Sequence, residues 1–188
     1  MRKAVGISIF FIILLIVVGL FVYSYTQLTI RLNDITFHSI DFEPLSWSTL
    51  MKLGLNTLSG NWFDVIFDLI REINLNFIFE LSNNGLLPVY IPDLYYDLLI
   101  NNVSVGDGYS KFNTTLNPGQ TKKIILFQNI QKNNLSPVVD SILLTQGEID
   151  VTVKGTLYFK LLVFDISLPF ESSKQISIYD EIKKTIFN

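Results

Sequence analysis

The chain has 188 residues, no cysteine, one histidine and a formal charge of −3. This composition excludes structural disulfides, thiolate zinc sites, a cysteine nucleophile and a multi-histidine metal centre. Nucleic-acid binding calls for a basic stripe. With Arg2 and Lys3 set aside, 12 of the 14 basic residues face 17 acidic ones, a net of −5, and the longest basic runs are Lys122-Lys123 and Lys183-Lys184.

Residues 4–25, AVGISIFFIILLIVVGLFVYSY, carry no charge. At about 1.5 Å of rise per residue, about 20 such residues cross a hydrocarbon core of about 30 Å. Tyr23 and Tyr25 fall where an interfacial aromatic belt would lie, and Arg2 and Lys3 flank the other end. The positive-inside rule then predicts a cytoplasmic N-terminus and an extracytoplasmic bulk. A cleaved signal peptide has a shorter apolar core and small residues at its cleavage site. The run here is longer, and YSYTQL offers no A-x-A pattern, so an uncleaved anchor over 1–26 is predicted.

Leu28 to Phe42 alternates in pieces, slipping phase near Asn33-Asp34 and at Ser39, which predicts two short strands or one strand with bulges. After Pro44, residues 47–72 predict a helical insertion with breaks at Gly54 and Gly60. Within it Asn61, Asp64, Asp68, Arg71 and Glu72 share a narrow polar face, and apolar side chains cover the rest. A helix with so wide an apolar face needs a covering surface.

Alternation returns from Ile73 to Leu81 and stops at Asn83-Asn84-Gly85. A short stretch at Val89 and Ile91 precedes Pro92, and Leu94 to Ile100 predicts the next strand. Asn101-Asn102 reads as a two-residue hairpin turn leading to Val103 and Val105, closed by Gly106-Asp107-Gly108. Asn117-Pro118-Gly119 is a further turn. Ile124 to Phe127 is apolar at every position, as in a strand buried on both faces. Ser136-Pro137 predicts the start of a short helix ending near Gly147. Strands follow over Ile149–Phe159 and Ile166–Phe170, and residues 177–188 form a tail with a short amphipathic helix. About seven strands without β-α-β alternation predict a mainly β chain. The expected architecture is an immunoglobulin- or fibronectin-like β-sandwich over 27–176, with an N-terminal transmembrane helix and the helical insertion.

Ordered landmarks from about Leu75 to Ile176 carry a resemblance. They are the strand ending in Asn83-Asn84-Gly85, then Pro88-Val89-Tyr90-Ile91-Pro92, the tyrosine-rich LYYDLLI, the turn NNVSVGDG, Leu116 to Thr121, the short helix, Gly147-Glu148-Ile149 and VTVKGTLYF. In this order they resemble the WHy domain of type-2 late embryogenesis abundant (LEA) proteins. The chain departs from that pattern at Asn84, where the family often has Pro, and by its early insertion. The resemblance implies a sandwich fold, a link to desiccation and stress protection, no enzymatic activity, and no catalytic residues to carry over.

The carboxylate pairs Asp93/Asp97, Asp64/Asp68 and Glu148/Asp150 each lie in one short segment and read as solvated faces. General acid–base work needs two carboxyls in different environments across a cleft. His38 reads as a surface or hydrogen-bonded side chain. No G-x-S-x-G elbow, P-loop or calcium loop is present, so no catalytic, cofactor or metal residues are predicted. Sequons at Asn102, Asn113 and Asn134 are candidate glycosylation sites in an extracytoplasmic domain. Trp47, Trp62, Phe63, Ile66, Phe67 and Ile70 are candidates for membrane or partner contact, because aromatic residues suit an interfacial helix. The alternative is that this helix covers an open face or end of the sandwich.

The expected function is therefore non-enzymatic: a single-pass sandwich outside the cell membrane that binds, shields or protects under stress. Its partners would be the lipid bilayer and other membrane-protein subunits, not nucleic acid, and it needs no cofactor. The alternative is an accessory structural subunit of a membrane complex.

Overall fold

Strand β1, Leu28–Phe42, starts one residue after the N-terminal helix α1, Arg2–Thr26, ends. A computed structural model describes residues 2–44, 46, 51, 54, 62–161 and 164–187. Pairing of β1 with β2, Ile70–Asn83, is antiparallel and shifts register between Leu32 and Asp34 and between Phe37 and Ser39. The extra residues, Asn33 and His38, absorb the two phase slips seen in the sequence. Each bulge returns the apolar residues to the same face.

The remaining strands are β3 (Val89–Ile100), β4 (Val103–Leu116), β5 (Gln120–Gln131), β6 (Glu148–Leu161) and β7 (Phe164–Ser177). They form two antiparallel sheets, ordered β1-β2-β5 and β4-β3-β6-β7. The facing sides of the sheets bury Leu75, Phe77, Phe79 and Leu81 of β2 against Leu94, Leu98, Val153, Leu157 and Phe159 of β3 and β6. Phe79 meets Phe170 edge-on at 5.6 Å between centroids. Tyr96 of β3 crosses the core to donate its hydroxyl hydrogen to Gln128 Oε1 of β5 at 2.8 Å.

Several expectations are corrected. The segments before and after Pro92 are one strand, with a register shift between Ile91 and Asp93; proline lacks the N–H that a regular ladder needs there. Gly106-Asp107-Gly108 lies inside β4, opposite Leu98, Asp97 and Tyr96. Gly108 is required there because a Cβ would stand 2.1 Å from Tyr96 Cζ. Strand β5 is an edge strand rather than one buried on both faces: Leu126 is buried, while Ile125 and Phe127 are 65% and 56% exposed.

Of the predicted insertion, a short helix α2 spans Trp62–Asp68, and Met51 and Gly54 are helical. The chain is extended from Ile70, so Arg71 and Glu72 belong to β2 and do not share a helical face with Asp64. Trp47 and the rest of 47–61, apart from Met51 and Gly54, lie outside the described residues. The turn predictions hold at Asn101 and Asn102 (φ 49° and 67°) and at Gly119 (φ 75°). Helix α3 (Lys132–Leu135), a 3-10 turn (Ser136–Val138) and α4 (Val139–Leu144) lead to Gly147. There φ is 86° and the glycine N–H returns to Ile142 O at 2.8 Å. Helix α5, Ile178–Phe187, buries Ile178 and Ile182.

Candidate functional site

The two ends of the sandwich differ. At one end, α1 is docked on the domain. Ser24 is fully buried, and its Oγ accepts the Leu86 N–H at 3.2 Å. Tyr25 stacks near Phe159 at 6.2 Å, Phe21 meets Phe164 edge-on at 5.1 Å, and Asn84 N–H donates to Gln27 O at 3.1 Å. Gly85 permits the approach, since a Cβ there would lie 2.9 Å from Ser24 Cα. The upper helix is different: Ile9 to Val18 are all 45–70% exposed.

At the other end, α2, α3, α4 and α5 cap the sheets. Of the six candidate contact residues, Phe63, Ile66, Phe67 and Ile70 are 7% exposed or less and belong to the domain's own core. Trp62 is partly buried against Phe63 and Tyr179. Beside them a cavity of about 510 Å³ is lined by Val65, Phe67, Ile70, Leu135, Val139 and Leu143, with Asp64, Asp68 and Lys132 at its edge. Leu144, at the end of α4, is 85% exposed.

On the outer face of the four-stranded sheet, Tyr95, Tyr109 and Tyr158 form an aromatic platform. Tyr95 and Tyr109 are cross-strand partners with rings 4.6 Å apart, and Tyr158 meets Tyr95 edge-on at 5.6 Å. All three remain 43–49% exposed. Partial burial, with Tyr109 beside it, pushes the Tyr95 hydroxyl pKa up from its usual value. Asp93 faces Lys111 and Asp97 faces Lys154 across neighbouring strands, so charges of both signs border the rings. A cleft of about 520 Å³ opens beside the platform, lined by Asp93, Tyr95, Tyr158, Asp165, Ile166 and Ser167 among others. Asp165 is paired with Lys160 at 3.5 Å. The sole histidine, His38, is on the other sheet with its ring 5.5 Å from Phe127, so it cannot serve Ser167 as a base.

The predicted carboxylate pairs are placed as solvated groups. Asp97, Asp64, Asp68, Glu148 and Asp150 are exposed, and Asp93 is half-buried. Among the described residues, no three His, Asp or Glu side chains stand together as metal ligands. Asn102, Asn113 and Asn134 are all exposed, and Asn113 Oδ1 accepts the Tyr90 hydroxyl hydrogen at 3.0 Å. Sequence reasoning did not single out the tyrosine platform. The alternation around Tyr95 was visible, but Tyr158 joins it only through pairing of β6 with β3, which sequence spacing does not reveal.

No protein-family model and no curated protein matches the sequence. Solved structures do match. The solution structure of AT1g01470 from Arabidopsis thaliana aligns with TM-score 0.56 and 10% identity, over 79% of this chain and 80% of that one. A crystal structure of a protein from Archaeoglobus fulgidus aligns at TM-score 0.47 and 10% identity, over 78% of this chain and 97% of that one. A solution structure described as a late embryogenesis abundant protein, At2g46140.1, aligns at 0.42 and 16%, over 81% and 74%. The two-sheet fold expected from the resemblance to WHy and type-2 LEA domains is the fold found, and the likeness is one of fold.

Proposed function

We propose that this is a non-enzymatic, membrane-anchored protein that holds a β-sandwich outside the cytoplasm as a binding or shielding surface, in a stress-protective setting. The observation that carries this reading is α1. Its last turns are fastened to one end of the domain, while its upper length exposes apolar side chains on all sides. A helix that is apolar all round has to be covered by protein or by lipid, and a bilayer covers one of this length. Arg2 and Lys3 support the outward orientation of the domain. The tyrosine platform is the surface we assign to binding. Flat aromatic faces bordered by mixed charge suit ligands that present C–H groups or planar amides with a few polar contacts.

The test is extraction and protease protection of the full chain in its source membrane. Resistance to alkaline carbonate, together with cleavage of the domain only from the outer side, supports the reading. Release by carbonate, or cleavage from the cytoplasmic side, would sink it.

An accessory-subunit role is a second reading, favoured by two apolar surfaces: the outer side of β5 at Ile125 and Phe127, and the far end around Leu144. Strand β2 runs 14 residues between the two ends. At about 3.3 Å per residue, Trp62 to Ile70 then stand about 45 Å from the helix junction. With the strands upright, that end faces a partner rather than the bilayer. Fixed stoichiometric partners on a native gel after mild detergent extraction are expected on this reading.

A further inference from the structure

The end of the sandwich that receives α1 carries exposed apolar side chains close to the helix. Leu86, in the loop after β2, is 58% exposed, and Phe164, at the start of β7, is 57% exposed. Both lie against the helix, Leu86 through its N–H bond to Ser24 and Phe164 through its ring contact with Phe21. Between the helix and β7, a notch of about 290 Å³ is lined by Phe21, Val22, Tyr25 and Ile166. The turn between β4 and β5, at the same end, is Asn117-Pro118-Gly119 and is exposed and polar.

We propose that Leu86 and Phe164 insert into the outer leaflet beside α1, so that the domain stands on the membrane with its strands upright rather than swinging from a tether. The proposal rests on the anchoring reading above. The argument is one of depth. The apolar stretch that would span the bilayer is Ile9–Thr26. Phe21 lies five residues before its end, which is about 7 Å along the helix axis. Phe164 touches Phe21, with ring centroids 5.1 Å apart, and so lies within that distance of the same depth. Amphipathic elements bury their apolar faces about 5–10 Å into the boundary between headgroups and acyl chains. One residue further along the hairpin, Lys160 and Asp165 form a pair at 3.5 Å, and charges at that height meet headgroups and water. The occupant is lipid because the surface is continuous with the helix that lipid already surrounds.

The absence of cysteine makes the test direct. Single cysteines at Leu86, Phe164, Ile13 and Leu144 would each carry an environment-sensitive fluorophore on the full chain, in phosphatidylcholine vesicles. Lipids would carry a nitroxide quencher either near the headgroup or at mid-chain. Expected are blue-shifted emission and quenching at Leu86 and Phe164, stronger with the shallow quencher. Ile13 should be quenched most at mid-chain and Leu144 not at all. If Ile13 is quenched but Leu86 and Phe164 emit as in water, the anchor stands and the insertion is overturned. If Ile13 is unquenched, the anchoring reading falls and the insertion with it. Blue-shifted emission at Leu86 and Phe164 that neither quencher reaches means a second copy covers the surface, which also overturns the proposal. Should Phe164→Cys disturb the Phe21 contact and misfold, Leu86→Cys decides alone.

Discussion

Asn83 is fully buried, yet its side chain is satisfied on all sides. Its Nδ2 donates to Leu87 O and Leu116 O at 2.9 Å each, and its Oδ1 accepts the Gly85 N–H at 3.0 Å. It joins the end of β2, the loop that touches α1, and the end of β4. Asn83→Ala would take the side-chain partner from the buried Leu116 carbonyl and the buried Gly85 N–H. Each orphaned buried group costs about 1–3 kcal/mol, so a loss of at least 2 kcal/mol in urea unfolding is expected. Asp34 is a different case. Lys174 bonds to it across the edge where β1 meets β7, and that bond, helped by the Ile35 N–H at 2.8 Å, holds its carboxyl below the usual value against the opposing effect of burial. A depressed folded pKa gives stability that is present above the unfolded value, about 4, and fades as pH falls through the folded value. Asp34→Asn should therefore lower stability at neutral pH and flatten the acid limb of the stability curve; an unchanged limb would show that the pair contributes nothing. Tyr96 marks the opposite limb. Burial, with Asp107 nearby, pushes its hydroxyl up to about 12. The unfolded tyrosine ionises near 10, so its share of stability should drain away between about pH 10 and 12, and Tyr96→Phe should remove that slope.

Elements were most legible where local chemistry decides them. The paired asparagines at 101–102, the Gly119 turn and the glycine stop after α4 are positions where positive φ or a missing partner leaves little choice. The bulges in β1 were visible as phase slips because two-residue periodicity admits no other repair. Where two readings share one pattern, tertiary contacts chose. Gly106-Asp107-Gly108 has turn composition but is a strand, because Tyr96 lies over Gly108 and leaves no room for a side chain. The helical spacing through Glu72 yields to a strand at Ile70 because β1 and β5 flank that segment and take up its backbone hydrogen bonds. At the junction of α1 and the domain, the prediction concerns close approach. Gly85→Val would press against Ser24 Cα and O, which stand 2.9 and 3.0 Å from a bare Cβ. It should loosen the last turn of α1 while leaving the sandwich folded. Faster proteolysis at 25–27 with an unchanged unfolding midpoint is the expected pair of results, and unchanged proteolysis would show the contact to be dispensable.

For the whole molecule, the sandwich was readable from strand count and turn spacing, but the order of strands was not. That order determines which outward side chains become neighbours, so the tyrosine platform stayed hidden while each of its residues was in plain view. Helix α1 and the domain also separate cleanly in their requirements. Removal of residues 1–20 keeps every strand and the contacts of Ser24 and Tyr25, and should give a protein that unfolds cooperatively without detergent. Aggregation or a non-cooperative transition would mean that the upper helix supports the core.

Only Gln27 separates α1 from β1, so tension on the helix reaches the sandwich undiluted by any slack. That tension runs along β1, which is hydrogen-bonded antiparallel to β2 almost end to end. Strand β7 ends at the opposite end of the domain, where α5 packs on the sheets. A pull between these two points slides β1 against β2 and loads many hydrogen bonds together, whereas a sideways pull would peel them one at a time. Tension carried down α1 therefore meets this strand pair in the direction in which it resists most.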